Sequence, residues 1–482
     1  MNDREDVKKP GRRAALKAIG AAGLGAGLAA SCTTAQSAEP VKQTDATPNG
    51  YDVIIVGAGF TGITAARDLG QQGYSVLILE AQNRIGGRTF SSELDSHKVE
   101  MGGTWVHWFQ PHIWSEITRY GAELKEMPAA ERFLALNAGN ETATDVDLAT
   151  YLPQMGATYA QIFADASLIW PRPYDQDFSW DQIVAHDQIT FKDRLDEVGA
   201  TGIVRTMIEA QMLSVAQQPM DEISYVEAAR FYALSGGTLN GFFDVMSRYK
   251  FADGTKGLLD SMLKDAGAKL SLSTVVTDIR EADGGVSVLT EDGATYEAET
   301  AIVTVPFNTL GMVQFDPPLP PKMQGFVDEG MGTRGYKTFV EVEGDVGNIV
   351  GMGPEDIMLP MLFTYDKTPT STLLVGFGTK FEDYDPNDRA AAQECISYYL
   401  PDVKVLQAYG YSWSLDPFAQ GFHGVYRTGQ LSRIKDTFNT HEGRVLITGA
   451  DHVEGWRSFI DGAVAAGSIA ARHVDQLLTE AL

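Results

Sequence analysis

The feature that most constrains the fold is a glycine-rich turn that joins a short apolar strand to a helix. Residues 51–56 (YDVIIV) form a β-branched, apolar run, which is typical of a buried parallel strand. Residues 57–62 (GAGFTG) follow directly, and their GxGxxG spacing permits a tight turn that brings backbone N–H groups against a pyrophosphate. A helical pattern at 60–73 and a second apolar strand at 75–79 complete the unit. The sequence therefore predicts an α/β fold that begins with a Rossmann-like βαβ unit.

An acidic residue closes this unit. Glu80 lies 18 residues beyond Gly62, at the end of the second strand. A carboxylate in this place accepts hydrogen bonds from ribose hydroxyls and repels a 2′-phosphate. The pattern predicts a dinucleotide site, and the alternative is a glycine turn in an unrelated βαβ unit.

The segment that begins at Glu80 favours FAD over NAD. Residues 80–89 (EAQNRIGGRT) resemble the ExxxRxGGR(T) segment of the flavin amine oxidase family, and 100–105 and 449–467 resemble two further cofactor segments of that family. The resemblance implies that Arg88 contacts phosphate or ribityl oxygens, whereas Arg84 is better explained as a surface charge. We find no second GxGxxG followed by an acid, so a built-in NAD(P)H site is not expected.

The resemblance also assigns cofactor contacts residue by residue. Val276 falls where the family packs backbone on adenine, and Asp451 stands where the family usually has Glu at the ribityl hydroxyls. Phe422 falls where some relatives attach the flavin through cysteine, which implies noncovalent FAD. The implied FAD-binding residues are Gly57, Gly59, Phe60, Gly62, Glu80, Ala81, Gly87, Arg88, Gly103, Thr104, Trp105, Val276, Gly449, Ala450, Asp451, Phe459, Ile460 and Ala463.

The resemblance covers nearly all of the chain beyond its N-terminal segment and implies an amine oxidase-like α/β architecture. A discontinuous, Rossmann-like FAD-binding domain is expected at 51–105, 249–306 and 425–482. An α+β substrate-binding domain is expected at 106–248 and 307–424.

Residues 1–38 have the order of an export signal. Four basic residues, Lys8, Lys9, Arg12 and Arg13, precede a small, apolar stretch at 18–30. The Arg12-Arg13 pair with its following lysine resembles a twin-arginine signal and predicts a periplasmic protein. The alternatives are an amphipathic tail and a lipoprotein anchor at Cys32, which would be the only attachment to a membrane. Residues 39–50 are expected to form a linker.

Composition excludes other classes. Acidic residues outnumber basic ones 64 to 38, and the formal net charge of −26 opposes binding to nucleic acid. The chain has only two cysteines and no HExxH or CxxC motif, so neither a zinc site nor a disulfide framework is expected. The sequence leaves a homodimer open.

The chemistry that the resemblance implies requires a neutral amine. A free amine is protonated in neutral water, and an apolar, aromatic site favours the neutral form by desolvation. In the family two aromatic side chains form a cage at the flavin, and the resemblance places His423 and Phe459 at these positions instead of the usual tyrosines. A packed loop histidine is the alternative for His423.

Two further residues are candidates for catalysis. Trp456 is expected to pack beside the flavin ring. Lys337 matches the family lysine that holds a water at the reactive nitrogen of the flavin, and an exposed strand lysine is its alternative. The expected reaction is hydride transfer from the amine to FAD, which gives an imine or iminium that water hydrolyses to a carbonyl.

Residues 105–112 and 413–418 look most like those of bacterial nicotine oxidoreductases and pseudooxynicotine amine oxidases, which suggests a secondary or alkaloid-like amine. The electron acceptor is open between O2 and a periplasmic electron carrier. Two other functions remain open: an FAD-dependent desaturase or porphyrinogen-type oxidase acting on C–C bonds, and a noncatalytic, exported FAD-binding electron relay.

Overall fold

The computed structural model describes residues 50–94, 97–282, 284–438 and 443–480. The predicted export signal at 1–38 lies outside the described residues, as does the predicted linker apart from Gly50, which begins the first strand. None of the helices within the described ranges combines the length and the apolar character needed to cross a membrane.

Strands and helices alternate along the chain. In chain order the described strands are β1 (Gly50–Val56), β2 (Val76–Leu79), β3 (Ser91–Leu94), β4 (His97–Glu100), β5 (Trp105–Val106), β6 (Leu124–Glu126), β7 (Arg132–Ala135), β8 (Thr144–Asp145), β9 (Tyr249–Phe251), β10 (Lys269–Ser271), β11 (Val276–Ala282), β12 (Gly285–Thr290), β13 (Thr295–Val303), β14 (Gln314–Asp316), β15 (Tyr336–Glu343), β16 (Ile349–Met352), β17 (Met361–Lys367), β18 (Ser371–Gly378), β19 (Val405–Ser412) and β20 (Val445–Ile447). The described helices are α1 (Phe60–Gln71), α2 (Pro111–Tyr120), α3 (Leu148–Ile162), α4 (Ala166–Ile169), α5 (Trp180–His186), α6 (Phe191–Glu197), α7 (Gly202–Ala216), α8 (Tyr225–Leu234), α9 (Leu239–Ser247), α10 (Lys256–Ala266), α11 (Pro321–Glu329), α12 (Arg389–Tyr399), α13 (Leu431–Ile434) and α14 (Ile460–Glu480).

The first sheet contains the predicted βαβ unit. Its strand order is β10-β2-β1-β13-β12-β11-β14, with β20 also paired to β13. Strand β1 pairs in parallel with both β2 and β13. Its residues Val53, Ile54 and Ile55 are completely buried, which explains why the strand is an uninterrupted apolar run. Helices α1, α10 and α14 pack together beside it.

This sheet is assembled from separate stretches of chain. Strands β10 to β13 come from 269–303, and β20 and α14 come from the C-terminal stretch. One strand departs from the predicted division: β14 lies within 307–424, yet it pairs in parallel with β11 in the first sheet. Its pairing depends on a partner far along the chain, which local sequence does not specify.

The second sheet has the order β19-β15-β18-β17-β16-β7-β8. Strands β15, β17, β18 and β19 are antiparallel neighbours, and helix α7 packs against the sheet. Strand β18 is buried along its whole length, because both of its faces are covered. The functional cavity lies where this layer of helix and sheet meets the carboxyl ends of β1 and β2.

Candidate functional site

A cavity of about 270 Å³ extends from the turn after β1 to the second sheet. Its glycine end is lined by the β1–α1 turn, residues 80–89 and residues 449–463. Its apolar end is lined by Gln211, Ser214, Val215, Phe243, Met246, Met361, Phe363 and Phe377. His423 and Phe459 also line the cavity.

The β1–α1 turn leaves room for a ligand against its backbone. Gly57 has a φ of +107°, and a Cβ there would lie 2.7 Å from the Oγ1 of Thr304. A Cβ on Gly62 would lie 2.0 Å from the carbonyl oxygen of Gly57. Helix α1 begins after Gly59, and no side chain in the described ranges caps its first turn. The N–H groups of Phe60, Thr61 and Gly62, in the first turn of the helix, are therefore available to an anionic ligand.

Glu80 holds the same turn from the side. Its Oε2 accepts a hydrogen bond from the backbone N–H of Ala58 at 2.7 Å, and its Oε1 accepts one from Gln82 N–H at 2.8 Å. Burial raises the pKa of Glu80. Each carboxylate oxygen keeps a further lone pair, and Glu80 lines the cavity, so the ribose contact predicted from the sequence is sterically compatible with its position.

Arg84 is not a surface charge, contrary to the interpretation from sequence. Its guanidinium donates hydrogen bonds to the carbonyl oxygens of Gly87 and Thr89 at 3.0 and 3.1 Å. It also lies over the ring of Phe90, 4.4 Å from the ring centre. Arg84 therefore holds the GGR segment in a tight loop, through carbonyl groups three and five residues along the chain.

Arg88 and Asp451 form an ion pair at the glycine end, with Nη2 and Oδ1 2.7 Å apart. The Oδ2 of Asp451 accepts a hydrogen bond from the backbone N–H of Phe307. Burial alone would raise the pKa of Asp451, but the Arg88 guanidinium and His452 hold it below its ordinary value. The pair joins the 80–89 segment to the turn after β20. Both residues line the cavity, as the resemblance implied.

The last helix starts at the cavity. Ile460 and Ala463 line it, whereas Asp461 lies on the other side of the helix. The Oδ1 of Asp461 accepts hydrogen bonds from the backbone N–H groups of His112 and Ile113 at the start of α2. Burial raises the pKa of Asp461 to about 7. This carboxyl therefore connects α14 to α2 and does not face the ligand.

His423 is held in the cavity wall by Ser458. Its Nδ1 lies 2.9 Å from the Ser458 hydroxyl, which also accepts a hydrogen bond from the backbone N–H of Gly424. Burial, with a contribution from the nearby charge of Arg88, lowers the pKa of His423 to about 4, so the ring is neutral near pH 7. Its ring centre is 5.9 Å from that of Phe459, at an angle of 45°. The two predicted cage positions therefore lie beside one another.

Trp456 lies behind Phe459. The two rings meet edge to face at 5.0 Å, and the indole N–H donates a hydrogen bond to the carbonyl oxygen of Phe109 at 2.7 Å. Trp456 is fully buried and is not among the cavity-lining residues. The structure thus places Trp456 as support for Phe459, and its packing beside the flavin stays a prediction.

Lys337 also lies behind the cavity wall, and it is buried instead of exposed. Its ammonium donates hydrogen bonds to the carbonyl oxygens of Glu100 and Gly102 and to the Thr104 hydroxyl. Burial lowers the pKa of Lys337 to about 7. The side chain fixes the segment that carries Thr104 into the cavity, and its role in holding a water stays a prediction.

Most of the predicted cofactor residues do converge on one site. All of them except Gly62 line the cavity, and Gly62 shapes the turn from behind. The apolar end was not predicted, because its residues come from α7, α9, β17 and β18 and share no local pattern. Ser458 is another omission. A left-handed φ of +82° at a serine is not visible in the sequence.

Comparison with known proteins settles the family. The family model described as flavin containing amine oxidoreductase matches residues 60–475. The chain belongs to this family. It is 34% identical to a pseudooxynicotine dehydrogenase of Pseudomonas sp., over 97% of this chain and 96% of that protein. It is 35% identical to a nicotine dehydrogenase of Pseudomonas putida (strain DSM 28022 / S16), over the same shares of the two chains.

A solved structure shares the fold. Cyclohexylamine oxidase from Brevibacterium oxydans IH-35A superposes with a TM-score of 0.75 at 21% identity, covering 90% of this chain and all of that chain. The fold is therefore the mixed α/β amine oxidase fold, as the sequence predicted. This flavin amine oxidoreductase uses FAD to oxidise amines.

The residues at the glycine end fit FAD. Free N–H groups at α1 suit a pyrophosphate, Glu80 suits a ribose, and Arg88 supplies a cation beside them. Phe422 lines the cavity. Cys395, the one cysteine in the described part of the chain, is buried away from it beside Tyr336 and Tyr384. This arrangement agrees with noncovalent binding.

Proposed function

We propose that this protein oxidises a secondary or alkaloid-like amine, by hydride transfer to FAD, to an imine or iminium that water hydrolyses to a carbonyl. The observation that carries the proposal is the pair of neighbouring rings of His423 and Phe459 in a cavity with an apolar end. The two relatives over 30% identical that span this chain are named for nicotine and pseudooxynicotine, which supports an alkaloid-like substrate.

The cavity wall favours the neutral amine. Phe243, Phe363 and Phe377 surround the apolar end, and removal of water destabilises an ammonium group relative to the free amine. Among the described residues that line the apolar end, none carries a carboxylate that would stabilise the ammonium ion. His423 is neutral, and Asp451 is paired with Arg88 at the other end. The amine therefore reaches its reactive geometry uncharged.

When bound, FAD accepts the hydride from the carbon next to nitrogen. The chain supplies the geometry. Trp456 and Phe231 hold the ring of Phe459 edge to face, and Ser458 holds His423. The two flat rings restrict the amine to one approach, and the side chains around them exclude bulk water. No side chain is needed as a general base once the amine is neutral.

The electron acceptor is proposed to be a periplasmic electron carrier, with O2 as the alternative. Two relatives that are 34% and 35% identical over 97% of this chain are named dehydrogenases, which supports the carrier, whereas a 30% identical relative is named (S)-6-hydroxynicotine oxidase, which keeps O2 as the alternative. Reduced enzyme would then reoxidise slowly in air and fast with a soluble one-electron acceptor. Fast reoxidation in air alone would favour O2.

Periplasmic export by a twin-arginine signal is also part of the proposal. It is supported by the basic pair Arg12-Arg13 ahead of a small, apolar stretch. The match to the two dehydrogenases spans 97% of the chain and so extends into this segment. Replacing both arginines by lysine should leave the protein in the cytoplasm, as measured by cell fractionation. Unchanged export would contradict the assignment.

The central experiment is an anaerobic screen of amines against the purified holoenzyme, followed by the loss of flavin absorbance. Secondary cyclic amines should bleach the flavin faster than unbranched primary monoamines. Bleaching by no amine would overturn the proposal. Bleaching by C–C desaturation substrates only would favour the rival oxidase, and no reduction by either class would favour an electron relay.

A further inference from the structure

Helix α7 places one polar side chain in the apolar end of the cavity. Gln211, Ser214 and Val215 lie one turn apart on the same face of α7, and all three line the cavity. Gln211 is 97% buried, with an exposed fraction of 3%. A carboxamide buried among apolar groups is destabilising unless its polar atoms are hydrogen-bonded.

The two halves of this carboxamide are placed differently. The Oε1 of Gln211 lies 2.7 Å from the hydroxyl of Tyr159. Its Nε2 has no hydrogen-bond partner within the described ranges, and it is not among the atoms sealed from solvent. The nitrogen therefore faces the space of the cavity.

Tyr159 decides which way the carboxamide points. It is fully buried in α3, and burial raises the pKa of its hydroxyl, so the hydroxyl keeps its proton. That proton needs an acceptor, and across the described part of the chain the Gln211 side chain is the partner found. Tyr159 consequently donates to Oε1, which leaves both N–H groups of Nε2 directed away from it.

The neighbouring hydroxyls do not compete for this role. Ser214 donates to the backbone carbonyl of Gln211 at 2.7 Å. Ser247, which also lines the cavity, donates to the carbonyl of Phe243 at 3.0 Å. Both hydroxyl protons are thus used within their own helices. Among the described residues the Trp105 indole N–H also lacks a partner, but it is sealed from solvent, whereas the Gln211 amide keeps hydrogens that it can donate to a ligand in the cavity.

We propose that Gln211 is a specificity-determining residue, which donates a hydrogen bond from Nε2 to an acceptor on the non-reacting end of the substrate. The acceptor is a proton-free atom, such as a heteroaromatic ring nitrogen or a carbonyl oxygen. The inference deepens the proposed amine oxidation and rests on it. A site that leaves a buried donor unpaired discriminates strongly against a ligand without the acceptor.

A matched pair of amines tests the proposal. We choose 2-(3-pyridyl)pyrrolidine and 2-phenylpyrrolidine, which differ by one ring nitrogen. Binding to the oxidised holoenzyme is followed anaerobically by the change in flavin absorbance, and flavin reduction is followed separately. The wild type should bind the pyridyl compound about 10- to 100-fold more tightly.

Three variants complete the design. Gln211→Leu should remove the preference and leave the affinity for the phenyl compound within about 3-fold. Tyr159→Phe removes the hydroxyl that orients the carboxamide and should reduce the preference in part, which keeps the proposal testable if the leucine variant folds poorly. Gln161→Leu, the same change at an exposed position of α3, should retain the full preference.

Each outcome is decisive. The inference is overturned if the wild type shows no preference, if Gln211→Leu and Tyr159→Phe both keep it, or if neither compound binds. Binding with the expected preference but without flavin reduction would overturn the proposed amine oxidation and retain the role of Gln211 in recognition.

Discussion

The two ends of the cavity are built by different means. The glycine end is formed largely by backbone, with turns at 57–62, 80–89 and 449–463 brought together by the first sheet. The apolar end is formed by side chains on α7, α9, β17 and β18. Backbone contacts suit a cofactor that is the same in every turnover. Side chains can be substituted, which changes the substrate that is bound without changing the fold. Binding of FAD and choice of amine are therefore separable properties.

The electrostatic difference follows the same division. Arg88 and Asp451 form a buried ion pair at the glycine end. The apolar end has neutral groups, with Gln211 as its polar contact. Paired charge suits a phosphorylated cofactor, and low polarity suits an amine that must lose its proton. Substitutions at the two ends should therefore affect different measurements.

The largest effect is expected at the glycine end. Gly62→Ala places a Cβ 2.0 Å from the carbonyl oxygen of Gly57, and neither backbone can move without opening the turn. FAD affinity should fall by at least about 100-fold, measured as flavin content after purification. Gly257→Ala in α10, where a Cβ meets open space, is the control. Normal flavin content in Gly62→Ala would contradict the assignment of the glycine end of the cavity to FAD.

A smaller effect is expected at Asp461, whose carboxyl connects α14 to α2 outside the cavity. Because the pKa of Asp461 is raised from 3.8 to about 7, the folded state holds more protons than the unfolded state between these values. Stability should therefore decrease as the pH rises through this window. Asp461→Asn retains the acceptor for α2 and removes the ionisation, so it should be more stable than the wild type by about 2 kcal/mol at pH 8.

This difference can be measured by denaturant unfolding at pH 5 and pH 8. The gain from Asp461→Asn should be present at pH 8 and small at pH 5. An equal gain at both pH values would show that the carboxyl does not titrate between them.

The next effect is expected at Phe459, where a substitution should lower the rate of flavin reduction without loss of FAD. Phe459→Ala removes one of the two rings that confine the amine and should slow anaerobic flavin reduction by about 10-fold, with FAD content unchanged. Phe178→Ala, at a phenylalanine that is 55% exposed, should leave the rate unchanged. Loss of FAD together with activity in Phe459→Ala would mean that the two ends are not separable at this residue.

The smallest effect is expected at His423, where a substitution should leave the pH profile of flavin reduction unchanged. Because the pKa of His423 is about 4, its ring stays neutral from pH 6 to pH 9. In His423→Phe the pH profile of flavin reduction should keep the apparent pKa values of the wild type across this range, whatever the absolute rate. The neutral histidine would be contradicted if the rate of flavin reduction in the wild type changed with an apparent pKa near 6.5 and this change were absent in His423→Phe.

Sequence patterns predicted the glycine end well because its constraints are local. A tight turn needs glycine at Gly57, and a buried strand needs an uninterrupted apolar run at β1. These requirements act between residues close in the chain, so the motif predicted Glu80 at the dinucleotide site, and the family resemblance added Arg88. The family resemblance extended this to Asp451, which is 363 residues from Arg88.

Other positions were not visible in the sequence patterns. Arg84 was interpreted as a surface charge, yet the carbonyl groups of Gly87 and Thr89, three and five residues along the chain, hold its guanidinium. Lys337 and Trp456 are both fully buried, with hydrogen-bond partners in Glu100 and Phe109, 237 and 347 residues away. No local pattern encodes partners at such separations, and the roles of the two residues at the flavin stay predictions.

The sequence by itself thus predicted the βαβ backbone of a dinucleotide site, because glycine turns and apolar strands are properties of short segments, and its resemblance to the flavin amine oxidase family supplied the family and the cofactor. The tertiary structure decided the neutral state of His423, the orientation of Gln211 by Tyr159 and the protonation range of Asp461. Each of these depends on desolvation and on partners from several elements, and these exist only once the chain has folded.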